Sequence, residues 1–438
     1  MQLQRFSKLF AFLIIVAVGC GAQLGETSPV GTRETDPGRT LGPIATQLNA
    51  PDLTGETIAL YHLCGRAGPL AEFNQTKIFA VQDMVSTIND SGGIFGAQLV
   101  LEFVDTGGSE NAARSAYDRI RRLNDDIPLL LLCDANTELT LAPYLGEGQI
   151  PALSPGYAPL ELYQAKDSYL FAFNIPIEAQ FAYFVEYVNH NWGEIGPPGS
   201  NKAAQWALLA WPVEEGGQLM DMEWIESLGV ELVFHKTLAV RNQPDLFDSI
   251  YEARDENVNL FYVTARGELP AALLDALGAL GLKDRVLVAG PSFSFESDLS
   301  PFLFDSANAK STMFTSSTPQ WTDVSNPELA HTYEIFVGSQ RELESQDAAY
   351  LGMLGAVDIA RKAIESAILD AGFEQLNAEA VFEALSALNN YEVLGGLYSV
   401  DYGSGDHFPQ FLQLNVFGET AEEHSVVQPF SPIPTLTN

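Results

Sequence analysis

Ile88 to Asp105 reads INDSGGIFGAQLVLEFVD. Its first residue closes an apolar stripe of Val81, Met84, Val85 and Ile88, at helical spacing within a pattern running from about Leu70 to Asn89. Gly92, Gly93 and Gly96 break that helix, and Leu99–Val104 follows as a strand. Upstream lies a short apolar strand, Thr57–Leu63. Downstream, Ser109 can cap a helix that carries Ala112, Ala113, Ala116, Ile120 and Leu123 inward. Leu129–Cys133 is then apolar on both faces, as a buried parallel strand requires.

The alternation continues in both directions. A helix near Thr137–Leu145 leads to strands at Ile150–Leu153 and Tyr169–Phe173. After the helix Glu178–Trp192 and a Gly-Pro-Pro-Gly loop at 196–199, a second series begins with strands at Trp206–Ala210, Val230–Leu238, Leu260–Thr264 and Val286–Ala289, separated by helices. A long helix spans about Ala348 to Leu369, and strands at Leu397–Tyr402 and Phe411–Phe417 end the pattern. Two βαβα series predict an α/β protein of two doubly wound parallel-sheet lobes.

In such sheets ligands bind beyond the carboxyl ends of the strands, which selects the loops after residues 63, 133, 153, 210, 264 and 289. If the first sheet runs in the order 2-1-3-4-5, Cys64 and Cys133 sit at adjacent strand ends and can form a disulfide; two buried free thiols are the alternative.

At the amino end, Arg5 and Lys8 precede an apolar run from Leu9 to Val18, the order of a secretory signal over residues 1–19. Ala17-Val18-Gly19-Cys20 resembles a bacterial lipobox, which implies a diacylglycerol on Cys20; an ordinary cleavage near Ala22 is the alternative. Residues 20–55, rich in Gly, Pro, Thr and Ser, are expected to be a tether, and residues 418–438, with Pro429, Pro432 and Pro434, an irregular tail. The predicted location is outside the cytoplasm, lipid-anchored at the outer face of the cytoplasmic membrane or periplasmic. Fifty-seven acidic residues against 22 basic ones give a net charge of −35, which argues against nucleic-acid binding. The six histidines show no metal-ligand spacing, and CxxC, GxSxG and Walker patterns do not occur. No catalytic residue, metal or cofactor is expected.

Four stretches carry a family resemblance: LYHLCGRAGPLAEF from Leu60 to Phe73; INDSGGIFGAQLVLEFVD; LCDANTE and IPALSP between Leu132 and Pro155; and GGLYSVDYGSGDHFPQFLQLNVF from Gly395 to Phe417. Together they resemble the type I periplasmic solute-binding proteins of the leucine-isoleucine-valine-binding class. The resemblance implies a hinged amino lobe (56–174 plus 318–395) and carboxyl lobe (175–317 plus 396–417), closing on a small polar or carboxylate-bearing solute such as an amino acid. It implies ABC permease subunits as partners, with a monomeric chain; a ligand sensor reporting to a membrane receptor is the alternative.

The residues matched to the family's ligand loops are Phe73, Asp134, Asn136, Thr137, Ser154, Gly156, Tyr157, Arg266 and Ser292. Asp134 stands where a Ser is usual, and Ser292 where amino-acid binders place a Glu; Glu215, with Glu214, could supply that charge. Arg66 and Arg266, rare cations in expected cleft loops, bind an anionic group or else pair with surface acids, and Trp211, Tyr157, Phe73 and Phe293 are core residues or else stack on a flat group.

Overall fold

The computed structural model describes residues 50–436 apart from 69–70, 125, 166, 201–202, 211–219, 239–242, 266–267, 296–301, 304, 324–325, 344–345 and 422. The first series is β1 (Thr57–Cys64), α1 (Ala71–Asp90), β2 (Gln98–Asp105), α2 (Glu110–Leu123), β3 (Leu130–Leu132), α3 (Ala135–Gly148), β4 (Ala152–Ser154), α4 (Glu161–Gln164) and β5 (Leu170–Ala172). All five strands are parallel in the order β2-β1-β3-β4-β5, with Tyr61 opposite both Glu102 and Leu130.

The second series is α5 (Ile177–Ile195), β6 (Trp206–Ala210), α6 (Met222–Ser227), β7 (Leu232–Thr237), α7 (Gln243–Asp255), β8 (Leu260–Thr264), α8 (Glu268–Ala279), β9 (Leu287–Gly290), α9 (Ser292–Phe295) and β10 (Met313–Ser316). Its parallel strands repeat the same winding, β7-β6-β8-β9-β10. The chain then adds α10 (Pro327–Gly338), α11 (Ala348–Ala371), α12 (Ala378–Ser386), β11 (Tyr391–Val393) and β12 (Tyr398–Val400), which pack in one core with α1 of the first lobe. Finally β13 (Phe411–Phe417) and β14 (His424–Pro432) extend the second sheet antiparallel from β10.

Local chemistry accounts for the segment around Ile88. Gly93 and Gly96 have φ of +70° and +100°. A Cβ on Gly93 would fall 2.0 Å from the carbonyl oxygen of Ala97, and one on Gly96 2.9 Å from the Thr54 backbone nitrogen. Only glycine permits that turn. The stripe Val81, Met84, Val85 and Ile88 packs with Leu351, Leu354, Ile364 and Ile368 of α11 in one buried cluster. Truncating such a residue, Leu354 for instance, costs about 2–5 kcal/mol.

Three sequence expectations are corrected. Residues 418–438 are not an irregular tail, because His424–Pro432 pairs with β13. Proline is tolerated there because β14 is an edge strand, with one side needing no ladder donor. The carboxyl-lobe segment does not begin at 396, since β12 pairs with β11 inside the first lobe's core and the chain crosses only after Val400. Leu123, expected inward, is 74% exposed at the last residue of α2, past the face that buries Ala113, Ala116 and Ile120.

Candidate ligand cleft between the lobes

The carboxyl ends of the strands in both sheets meet at one cavity. Phe73 and Lys77 of α1, Pro155, Gly156 and Tyr157 after β4, and Asp347, Ala348, Ala349 and Met353 at the start of α11 line it from the first lobe. Gln180 of α5 and Ser292 and Phe293 after β9 line it from the second, and Phe173 to Ile175 from the crossing. The Tyr157 and Phe293 rings meet edge to face across it at 6.1 Å, leaving a cavity of about 60 Å³. Small-molecule pockets commonly measure roughly 300–1,000 Å³, so this cavity is small for a solute. A larger concavity, about 880 Å³, lies on the outer face of the first lobe between α11 and α12, away from the strand ends.

On the first-lobe side, buried polar groups fix the wall. Cys64 and Cys133, at the ends of the adjacent strands β1 and β3, are joined with Cα atoms 5.2 Å apart. The buried Lys77 ammonium donates to the Cys133 carbonyl at 2.5 Å. Asp134 caps α3, accepting from the Thr137 N–H at 2.8 Å and from the Gly65 N–H and the Asn74 side-chain amide. Glu138, in the first turn of α3 and fully buried, accepts from the backbone N–H groups of Tyr157 at 3.0 Å and Ala158 at 2.8 Å and from the Tyr163 hydroxyl. Burial pushes the Glu138 carboxyl up to about 7 against the pull of these donors. His62 is sealed behind the disulfide, its imidazole pushed down to about 3, first by burial and then by Lys77 and Arg66, so it is neutral.

On the second-lobe side, Gln180 organises the wall. Its carboxamide oxygen accepts from the Ser292 N–H at 2.9 Å and the Thr315 hydroxyl at 2.7 Å, and its nitrogen donates to the Ile175 carbonyl at 2.8 Å.

Of the residues singled out in the sequence, Phe73, Gly156, Tyr157 and Ser292 line the cavity, with Phe293 beside them. Arg66 does not: it is exposed, its guanidinium 3.9 Å over the Phe103 ring. Asp134, Asn136 and Thr137 form the start of α3 and Ser154 pairs with the Tyr163 hydroxyl at 3.2 Å; none of the four lines the cavity. Cys20, Trp211, Glu214, Glu215 and Arg266 lie outside the described residues. Lys77 and Glu138 escaped the sequence reading although periodicity marks them. Lys77 precedes Val81, Met84 and Ile88 on one helix face, and Glu138 precedes Leu141 and Leu145 on another.

Two doubly wound lobes meeting at a lined cavity define a hinged solute-binding architecture. Residues 57–411 match the periplasmic binding protein family, and the chain belongs to it. Solved structures repeat the fold. A branched-chain amino acid ABC transporter protein from Thermus thermophilus with bound valine has a TM-score of 0.73 at 17% identity, over 87% of this chain and 97% of that one. LivJ from Streptococcus pneumoniae with isoleucine gives 0.65 at 15%, over 85% and 100%. A solute-binding protein from R. palustris with 4-hydroxybenzoate gives 0.67 at 13%, over 86% and 98%. No curated protein matches the chain in sequence. The family is one of extracytoplasmic solute-binding proteins, not of enzymes.

Proposed function

We propose that this chain is the capture subunit of an ABC importer, held outside the cytoplasm by a lipid on Cys20, and that it closes its two lobes on a small polar solute. The observation that carries the reading is the cavity itself, which residues of both lobes line at the carboxyl ends of their strands. Closing on a solute requires that it bind the closed arrangement better than the open one. The three chain crossings, at 173–176, 317–323 and 401–410, serve as the hinge. Delivery to a permease follows from the relatives' transport role, and the tether that gives the reach is residues 20–49 and not 20–55, because Leu53 is buried in the first lobe's core and its N–H donates to the Phe95 carbonyl. Arg66, exposed over the Phe103 ring, lends no support to an anionic solute.

A thermal-shift panel of branched-chain amino acids, amides, dicarboxylates and aromatic acids tests this. A solute at 100 times its Kd adds about 2.7 kcal/mol to the filled form, and the same solute narrows the small-angle scattering profile as the lobes close. Silence across a wide panel, or binding without compaction, defeats the reading. Labelling with palmitate, lost on Cys20→Ala, tests the anchor.

A further inference from the structure

The turn after β4 lies at the cleft, and its two successive backbone donors are already engaged. The N–H groups of Tyr157 and Ala158 both point to one carboxylate, that of Glu138, and the Tyr163 hydroxyl donates to the same group. The acid is wholly buried, held from behind the turn by the first turn of α3. A buried acid is tolerated only when its oxygens are satisfied, and paired amide N–H groups are the natural site for such an anion. Here the protein supplies the acceptor itself.

We propose that Glu138 is a specificity-determining residue: its carboxylate fills the donor pair of the β4 turn, so that a solute must present a neutral ring or alkyl face to this wall instead of an anion. The proposal rests on, and deepens, the solute-binding reading. A second carboxylate brought to the turn would find these donors already taken and would be left in a low-dielectric site without them. What the turn offers the cavity is Pro155, Gly156 and the Tyr157 ring, facing Phe293 and flanked by Phe73 and Phe173. Those surfaces suit a flat or apolar group. An anionic group elsewhere on the solute is compatible with this rule, since Lys77 also lines the cavity.

Propionate, which has the terminal chemistry of the glutamate side chain, is the probe, with propionamide and chloride as controls. Glu138→Ala should melt below the parent and recover saturably with propionate, with neither control matching it, while the parent responds to propionate no more than to chloride. An equal response of parent and variant, or no propionate-specific recovery, overturns the proposal. Should Glu138→Ala fail to fold, Glu138→Gln keeps the volume while weakening the acceptor. Hydrogen exchange at the Tyr157 and Ala158 amides should then run about 10-fold faster than in the parent, and unchanged exchange overturns the proposal equally. None of these readouts uses a transported solute. Failure of the solute panel and failure of this proposal are therefore separate results.

Discussion

The two walls of the cleft are built from different chemistry. The first lobe fixes its wall with a disulfide, a buried ammonium and two buried carboxylates, each holding backbone groups of another loop. Among the described residues, the second lobe's wall is tied by a neutral carboxamide, that of Gln180, which links the helix after the crossing to Ser292 and Thr315. Charged buried groups lose heavily when a partner is removed, and neutral ones lose less. The first wall is thus a rigid platform, and the second can be altered at smaller expense to the fold.

Mutations can break this contrast in order of size. Cys133→Ser opens a link between residues separated by 69 positions, and should lower unfolding free energy by about 4 kcal/mol in the chain-entropy account, measured by urea titration without reductant. Asp134→Ala should cost about 3 kcal/mol, because it removes a helix cap and orphans donors on two other segments; a loss below that of Gln180→Ala would reverse the assignment of the rigid wall. Gln180→Ala should cost about 2 kcal/mol by leaving the Ser292 N–H without its acceptor.

The smallest effect is a pH slope. Glu138 has a folded pKa raised to about 7, so its contribution is full below the unfolded value near 4.5 and is lost as pH rises through 7. His62 behaves oppositely: depressed from 6.5 to about 3, it contributes above 6.5 and loses that contribution as pH falls. Between pH 4.5 and 6.5 the two slopes oppose each other. Glu138→Gln removes the first, and melting curves across that window should then climb more steeply with pH than those of the parent.

Most strand positions and the glycine turn were legible because periodicity and backbone sterics are local properties, whereas the order of the first sheet was assumed and β10 and β11 went unread. Gly93 and Gly96 illustrate this, each required by contacts within its own loop or with its neighbour Thr54. The adjacency of Cys64 and Cys133 was legible once the strand order was assumed. β14 was hidden because its prolines contradict a strand everywhere except at an edge, and edge position is a tertiary fact. Arg66 was misleading because a scarce cation near a strand end looks available for a ligand, whereas here Phe103 offers it a ring. Glu138 was hidden for the reverse reason: its helical face signals burial, but which groups it would satisfy depends on a turn 19 residues away.

β14 has a consequence for life at high density. Without it, β13 would present a free row of amides and carbonyls on which another copy could stack. The covering strand carries Pro429 and Pro432 and a pairing that slips between Leu412 and Asn415, which makes it a poor template for a neighbour. The last stretch of chain thus guards the sheet against fibril-like growth.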